Sequence, residues 1–312
     1  AFISICSLAY MSSTPISSIA FTPAKIFANK KIYMNQITFV PVGGLANRMR
    51  SIASVITLAQ QTKSYVNIIW FQDWALHAPF HKLFEPINQP HITLKDASFL
   101  QYLSTDRPRI KNLYLPRFYQ ILTFNDAIYE RSFYQLIQQE FNFKKWIEQN
   151  KHVYMASYST FIPYRQAMLK ELFVPTNNIQ QKIKHRCKNF NESVIGVHIR
   201  RTDNIASIQK SPLNLFYNKI DIEIDKQTKT QIYLATDSEE VKYSMKKRYG
   251  NRIISSDNVA DRSTVNGIID GITDMYTLAC TTKIYGSFQS SFSEIASQIG
   301  NIPLEIIQSD LA

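Results

Sequence analysis

The chain has 312 residues, 45% hydrophobic and 19% charged, which allows a substantial core and excludes a fibrous or compositionally disordered polypeptide. Length alone suggests two domains. A net charge of +11 favours anionic partners such as nucleotides, phosphorylated substrates, acidic glycans or membrane surfaces, yet its basic residues are scattered and no nucleic-acid groove is expected.

Residues 1–33 differ from the remainder of the chain. Ala1–Met11 is apolar but too short to span a bilayer, no basic residue precedes it, and Pro15 and Pro23 interrupt the next stretch. The expectation is an upstream extension or poorly ordered leader, with a degenerate signal sequence as the alternative.

Patterned sequence starts at Gln36–Val42, a predicted strand, followed by Gly43-Gly44. Leu45, Met49, Ile52, Ala53, Ile56 and Ala59 then recur at helical spacing, and Tyr65–Phe71 is a second strand. Such a strand–glycine loop–helix–strand unit has the size of one βαβ crossover. Glycines at its turn let backbone amides approach an anion at the helix N-terminus, with Asn47 and Arg48 in the first turn. A tight turn also needs glycine for purely steric reasons, so both readings stand. Asp73 and His77 follow the second strand as candidate general bases or as structural residues. From Trp74 to Met155, aromatics, prolines and short helical patterns give no clear order of elements. Helical spacing returns over Pro163–Leu172 and ends at Pro175. A junction near there divides a domain over 34–175 from one over 176–312.

Val194-Ile195-Gly196-Val197-His198-Ile199 is apolar, β-branched and too short for a helix, and it breaks into Arg200-Arg201-Thr202-Asp203. This is the pattern of a buried parallel strand delivering a charged loop to the sheet edge where ligands bind. Paired guanidiniums there suit a pyrophosphate, and a surface ion pair with Asp203 is the plain alternative. Neighbours at a strand end face opposite ways, so Arg200 is expected to grip the ligand and Arg201 to pack or to pair with Asp203. Asp221–Asp225 reads as a solvated helix face. Ile232–Asp237, Arg252–Ser256 and Lys283–Gly286 are further strands, alternating with helical stretches except at the polar loop Asn258–Asn266, as in a doubly wound domain. Asp237 precedes Ser238-Glu239-Glu240 and reads as an N-cap with Glu240 completing a capping box, or as a ligand contact. Asp274 lies within a predicted helix over Gly267–Cys280. Ser287–Ser293 offers several hydroxyls at a helix start, where they cap and also bind phosphate. Cys6, Cys187 and Cys280 are odd in number and far apart in sequence, which argues against a disulfide framework or structural zinc and for a reducing compartment. Walker A, G-x-S-x-G, H-E-x-x-H and G-x-G-x-x-G motifs are missing from the sequence.

Taken in order, these motifs resemble the fucosyltransferase superfamily of α-1,6- and α-1,2-fucosyltransferases and protein O-fucosyltransferases. His198-Ile199-Arg200-Arg201-Thr202-Asp203 is similar to its H-[VI]-R-R-[TG]-D, and Tyr233–Asp237 to its Y-L-A-T-D strand. Asp274-x-x-x-Leu278 with Gly286–Ser291 and Ala296 is similar to its last segment, and Gly43–Arg48 to its G-G-L-G-N-Q loop. The resemblance implies an α/β GT-B fold, two Rossmann-like domains facing across a cleft, and GDP-fucose as donor, held mainly by the C-terminal domain. It implies inversion at the anomeric carbon, transfer to a glycan acceptor and no metal. Arg200 would neutralise the β-phosphate, Asp237 and Asp274 would contact the nucleotide, and Ser290 and Ser291 would hold phosphate. Gly43, Gly44, Asn47, Arg48, His198, Arg201 and Asp203 complete the expected donor site. A cytoplasmic location is expected, with peripheral contact at the inner face of the membrane as a further option. Two departures stand out. Asn204 and Ile208 occupy the places of a Lys and a catalytic Glu in the α-1,6 enzymes, and Ala46 and Arg48 replace Gly and Gln. A catalytically idle nucleotide- or glycan-binding homologue, or an enzyme using another nucleotide sugar, is the competing reading.

Overall fold

A computed structural model describes residues 34–103, 117–202, 204–257 and 261–309. The leader expected over 1–33, and Asp203, lie outside the described residues. In chain order the first half runs β1 (Gln36–Pro41), α1 (Leu45–Thr62), β2 (Tyr65–Trp70), β3 (Ile92–Asp96), α2 (Phe99–Leu103), α3 (Arg117–Thr123), β4 (Asp126–Ile128), α4 (Glu130–Gln138), α5 (Phe143–Gln149) and β5 (His152–Ser157). The first half closes with α6 (Ala167–Leu172), and the second half runs α7 (Asn177–Cys187), β6 (Val194–Ile199), α8 (Ile205–Lys210), α9 (Leu213–Lys226), β7 (Gln231–Thr236) and α10 (Glu239–Tyr249). It ends with β8 (Ile253–Ser255), α11 (Val265–Leu278), β9 (Ile284–Ser287), α12 (Ser291–Gly300) and β10 (Leu304–Ile307).

Two five-stranded sheets result, ordered β3-β2-β1-β5-β4 and β10-β9-β6-β7-β8, with every pairing parallel. Parallel strands need crossovers, and the helices that provide them cover both faces, so the central strands are buried throughout: β6 exposes no residue along its length. Read outward from β8, the second sheet runs first three strands in reverse, then the last two, which is the doubly wound order with a switch between β6 and β9. The first sheet switches likewise beside β1.

The two halves meet through α12, which packs on α1 and α6. Arg50 and Glu294 lie 3.6 Å apart across that contact, and Gln166 Nε2 donates to the Gln298 carbonyl at 3.0 Å. On another edge the halves touch by backbone, where His77 N–H donates to the Arg262 carbonyl at 3.3 Å. Among the described residues no helix is long and apolar enough to cross a membrane.

Some expected boundaries move. The helix anticipated from Pro163 starts only at Ala167, and the last strand is Leu304–Ile307, beyond the Ile284–Ser287 strand that the sequence marks. The solvated face expected at Asp221–Asp225 is interrupted by Glu223, buried between Lys283 and Lys226 at 2.8 and 3.2 Å.

Candidate active site

A cleft of about 300 Å³ opens at the carboxyl ends of β1, β6 and β7. Gly43, Gly44 and Asn47 border it from the first half, and His198, Arg200, Asp237, Asp274 and Ser291 from the second. Residues far apart in sequence thus share one cavity, at the sheet edge where open α/β folds bind ligands.

Two helix N-termini point into this space. Gly44 is the extended N-cap of α1, and the first intrahelical bond is Arg48 N–H to its carbonyl at 3.1 Å, so the amides of residues 45–47 precede the ladder. Gly43 holds φ at +83°, a conformation that disfavours other residues, and a Cβ there would come within 3.2 Å of Asn47 Nδ2. Among the described residues the buried Asn47 Oδ1 has no hydrogen-bond partner. On the other side Ser290 is the N-cap of α12, and its hydroxyl does not cap. The Ser290 Oγ instead meets His198 Nδ1 at 3.2 Å, while Ser291 borders the cleft. Each helix start carries a partial positive charge of roughly half a unit.

The Arg-Arg loop is held by its backbone. Arg200 N–H donates to Ser287 Oγ at 3.1 Å, which ties the end of β6 to β9. Asp237 Oδ1 accepts Arg201 N–H at 2.7 Å, and Oδ2 accepts the Thr202 hydroxyl at 2.7 Å and its N–H at 3.3 Å. The N-cap of α10 is Ser238, whose Oγ accepts Val241 N–H at 3.3 Å, so the capping box expected between Asp237 and Glu240 does not form. The Arg201 guanidinium donates to the carbonyls of Arg200 and Ser211 at 2.9 and 2.7 Å and does not border the cleft, whereas Arg200 does. His198 is buried and stacks on Phe292 with centroids 4.7 Å apart. Burial, with Asp237 opposing and Arg200 reinforcing, lowers its pKa to about 4, so the ring is neutral near pH 7.

Asp274 forms the other polar wall. Its Oδ1 accepts from Arg186 of α7 at 2.5 Å and from the Tyr233 hydroxyl at 2.7 Å. Burial raises its pKa to about 6 against the pull of Arg186, whereas the same pair holds Arg186 more firmly charged. The asymmetry has a geometric cause: the carboxylate side chain is 4% exposed and the guanidinium 17%, so the carboxylate bears more of the desolvation. In the sequence Arg186 is legible only as part of a basic helical patch.

Arg48 is a correction. It is among the largest fully buried side chains of the protein and does not border the cleft. Its Nε donates to the Gly43 carbonyl at 2.8 Å, Nη1 donates to the Phe71 carbonyl, Nη2 pairs with Asp73 Oδ1 at 2.9 Å, and its guanidinium lies 4.8 Å from the Trp70 ring centre. Asp73 in turn accepts the amides of Ala75 and Leu76 at 2.9 and 3.1 Å. The pair therefore braces two cleft loops, Gly43–Asn47 and Asp73–Leu76, from behind, and its burial explains why an arginine follows Asn47. His77 is exposed and lies outside the cleft lining. Trp74, Arg262, Gly267 and Gly271 also border the cleft, and no sequence motif marks them. At Gly267 a Cβ would collide with the Asp261 backbone at 2.1 Å. Among the described residues no cluster of three or more His, Cys, Asp or Glu side chains is arranged to hold a metal ion.

Residues 148–306, about half the chain, match the family model for alpha-(1,6)-fucosyltransferase N- and catalytic domains. No curated protein matches in sequence. Fucosyltransferase NodZ from Bradyrhizobium is 19% identical with a TM-score of 0.61 over 89% of this chain and 96% of its own. The NodZ alpha-1,6-fucosyltransferase soaked with GDP-fucose gives a TM-score of 0.62 at the same identity and coverage. An Arabidopsis thaliana FUT1 variant in complex with GDP is 15% identical with a TM-score of 0.60, over 88% of this chain and 70% of that one. These likenesses give the GT-B fold, two Rossmann-like sheets with a cleft between them.

Proposed function

We propose that this chain, which belongs to the alpha-(1,6)-fucosyltransferase family and is a glycosyltransferase, moves fucose from GDP-fucose to a glycan hydroxyl with inversion and without a metal ion. The observation that carries this reading is the convergence of Arg200 and two helix N-termini on one cleft whose far wall is the Asp274 carboxylate. NodZ alpha-1,6-fucosyltransferase was soaked with GDP-fucose and co-crystallised with GDP, anionic ligands that fit that distribution of charge.

Cleavage of the glycosyl–phosphate bond leaves positive charge on the sugar and negative charge on the departing GDP. Arg200 and the amides at the starts of α1 and α12 are preorganised cations and dipoles for that pyrophosphate, the role a divalent metal fills elsewhere. Asp274, and Asp237 through whatever capacity the Arg201–Thr202 loop leaves it, accept N–H donors of the guanine base. His198, at the cleft border, stacks on Phe292 and meets the Ser290 hydroxyl, so the two support the start of α12. The second half, beyond residue 175, is the donor-binding domain in this reading, and residues 34–175 face the acceptor.

Incubation with GDP-fucose and a panel of glycan acceptors, with and without EDTA, tests it. GDP release coupled to fucosylated product, unchanged by EDTA, is expected. Equal thermal stabilisation by UDP and GDP, or a strict Mg²⁺ or Mn²⁺ requirement, would overturn the donor or the metal-free mechanism respectively. A second reading, an idle binder, draws on Asn204 and Ile208. Asn204 Oδ1 accepts Ser207 N–H at 3.1 Å and caps α8. In that case GDP binds and no product forms.

A further inference from the structure

Arg186 and Tyr233 do not border the cleft, yet both close on a residue that does. Arg186 Nη1 donates to Asp274 Oδ1 at 2.5 Å and to the Tyr233 hydroxyl at 3.1 Å, and that hydroxyl donates to the same Oδ1 at 2.7 Å. Three elements, α7, β7 and α11, thus meet in a closed ring of hydrogen bonds in which each member polarises the next. The outer members are themselves fixed. Tyr233 is fully buried with its ring centre 5.7 Å from that of Phe190, and Arg186 Nη2 lies 3.9 Å from Asp270, one turn before Asp274 on α11. Lys182 holds Asp270 in turn at 3.3 Å, and Arg186 stands in the last turn of α7, where the helix dipole favours a cation.

Both protein donors take the same oxygen. A carboxylate offers about four lone-pair sites, two on each oxygen, and the pair on Oδ1 is filled. Among the described residues no hydrogen bond reaches Oδ2. The side chain is 4% exposed and borders the cleft, so Oδ2 is the oxygen left to a ligand. The last torsion of an aspartate is soft, and a carboxylate gripped from two directions loses that freedom. Its charge is guarded as well. Burial favours the neutral acid and Asp270 adds to that, whereas Arg186, the Tyr233 hydroxyl and Lys242 of α10 favour the carboxylate.

We propose that Arg186 and Tyr233 are positioning residues for base recognition: by occupying Oδ1 they fix the Asp274 carboxylate in its plane and present Oδ2 as the acceptor for a ring N–H of the bound nucleotide. The inference rests on the reading of the cleft as a nucleotide-sugar site and adds what holds the base-reading group in place. Neither residue touches the ligand, so each acts through Asp274. The pyrophosphate falls to Arg200 and the two helix N-termini, a separate set of groups. Loosening the ring should therefore weaken a nucleotide and spare a bare pyrophosphate.

The test is calorimetric titration of the full chain with GDP, UDP and inorganic pyrophosphate. Tyr233→Phe keeps the aromatic ring and the ion pair and removes one donor, and Arg186→Met removes the other. Each should weaken GDP binding by about tenfold or more and leave pyrophosphate affinity unchanged. The double variant Arg186→Met/Asp274→Asn should bind GDP no more weakly than Asp274→Asn alone, because Arg186 acts only through Asp274. The pH below which GDP affinity falls, about 6 in the wild type, should rise by about one unit or more in Arg186→Met. Should Arg186→Met not fold, Tyr233→Phe and the double variant, which leaves no lone buried charge, carry the same comparison. Equal losses of GDP and pyrophosphate, additive losses in the double variant, or GDP affinity unchanged in the single variants would each overturn the proposal. Wild-type affinity equal for UDP and GDP would instead overturn the guanine reading alone, and the same ratios are then read on UDP, whose ring also carries an N–H.

Discussion

The Arg48–Asp73 pair separates two roles that the sequence allows for Asp73, proton acceptor or strut. Asp73→Asn keeps the shape and can still accept from Ala75 and Leu76, but it removes the charge opposite a guanidinium with 0% exposure. At 2.9 Å and an effective dielectric of about 20, their attraction is roughly 6 kcal/mol, and desolvation of both ions offsets part of it. Deleting one partner of such a pair costs about 3–5 kcal/mol, because the other charge stays buried without compensation. Urea denaturation followed by circular dichroism should show the midpoint falling by roughly 1.5–2 M with an unchanged slope. The double variant Arg48→Met/Asp73→Asn should recover much of that loss, since it leaves no lone buried charge. A loss of less than about 1 kcal/mol in the single variant would refute the strut. Turnover abolished at unchanged stability would make Asp73 the base instead.

Arg200→Ala and Arg200→Lys should each lower turnover at least about a hundredfold with the fold intact, since an ammonium does not replace the planar fork. Fucosyl transfer by Arg200→Ala within a few-fold of wild type would place the pyrophosphate elsewhere. GDP affinity, measured by calorimetry across pH, should weaken as pH falls through about 6, where Asp274 gains a proton and ceases to accept from guanine. Protein stability should move the opposite way. The folded state holds that proton more tightly than the unfolded chain, so the contribution is full below the ordinary carboxylate range and is lost as pH rises through about 6. A GDP affinity that stays constant across that range would remove Asp274 from the donor site.

The second sheet is legible in the sequence because β6 and β7 are apolar runs buried on both faces, and such runs fit only central strands. The stretch from Trp74 to Met155 is not, because β4 has three residues and α2 five, too few to show a period. Site residues divide along a similar line. Gly43, Arg200 and Ser291 are short-range features of a strand end or a helix start, visible in a few letters. Arg48 reads in the sequence as a donor-site residue because a guanidinium in a first helical turn looks the same whether it faces a ligand or a distant Asp73. Arg186 hid in a basic patch for the same reason, its partner Asp274 lying 88 residues away. Partners distant in sequence decide whether a charged side chain is a ligand or a brace, and periodicity carries no record of them.

The two edges along which the halves meet differ in what it would take to separate them. Along α12 the contact is packed helix against helix, reinforced by Arg50–Glu294 and Gln166–Gln298, and parting it would expose apolar surface. At His77–Arg262 a backbone hydrogen bond of 3.3 Å spans the gap, of a kind worth about 1 kcal/mol. The helix-packed contact along α12 therefore resists separation more than that one backbone bond does. The cleft residues that must admit and release a nucleotide sugar lie between the two.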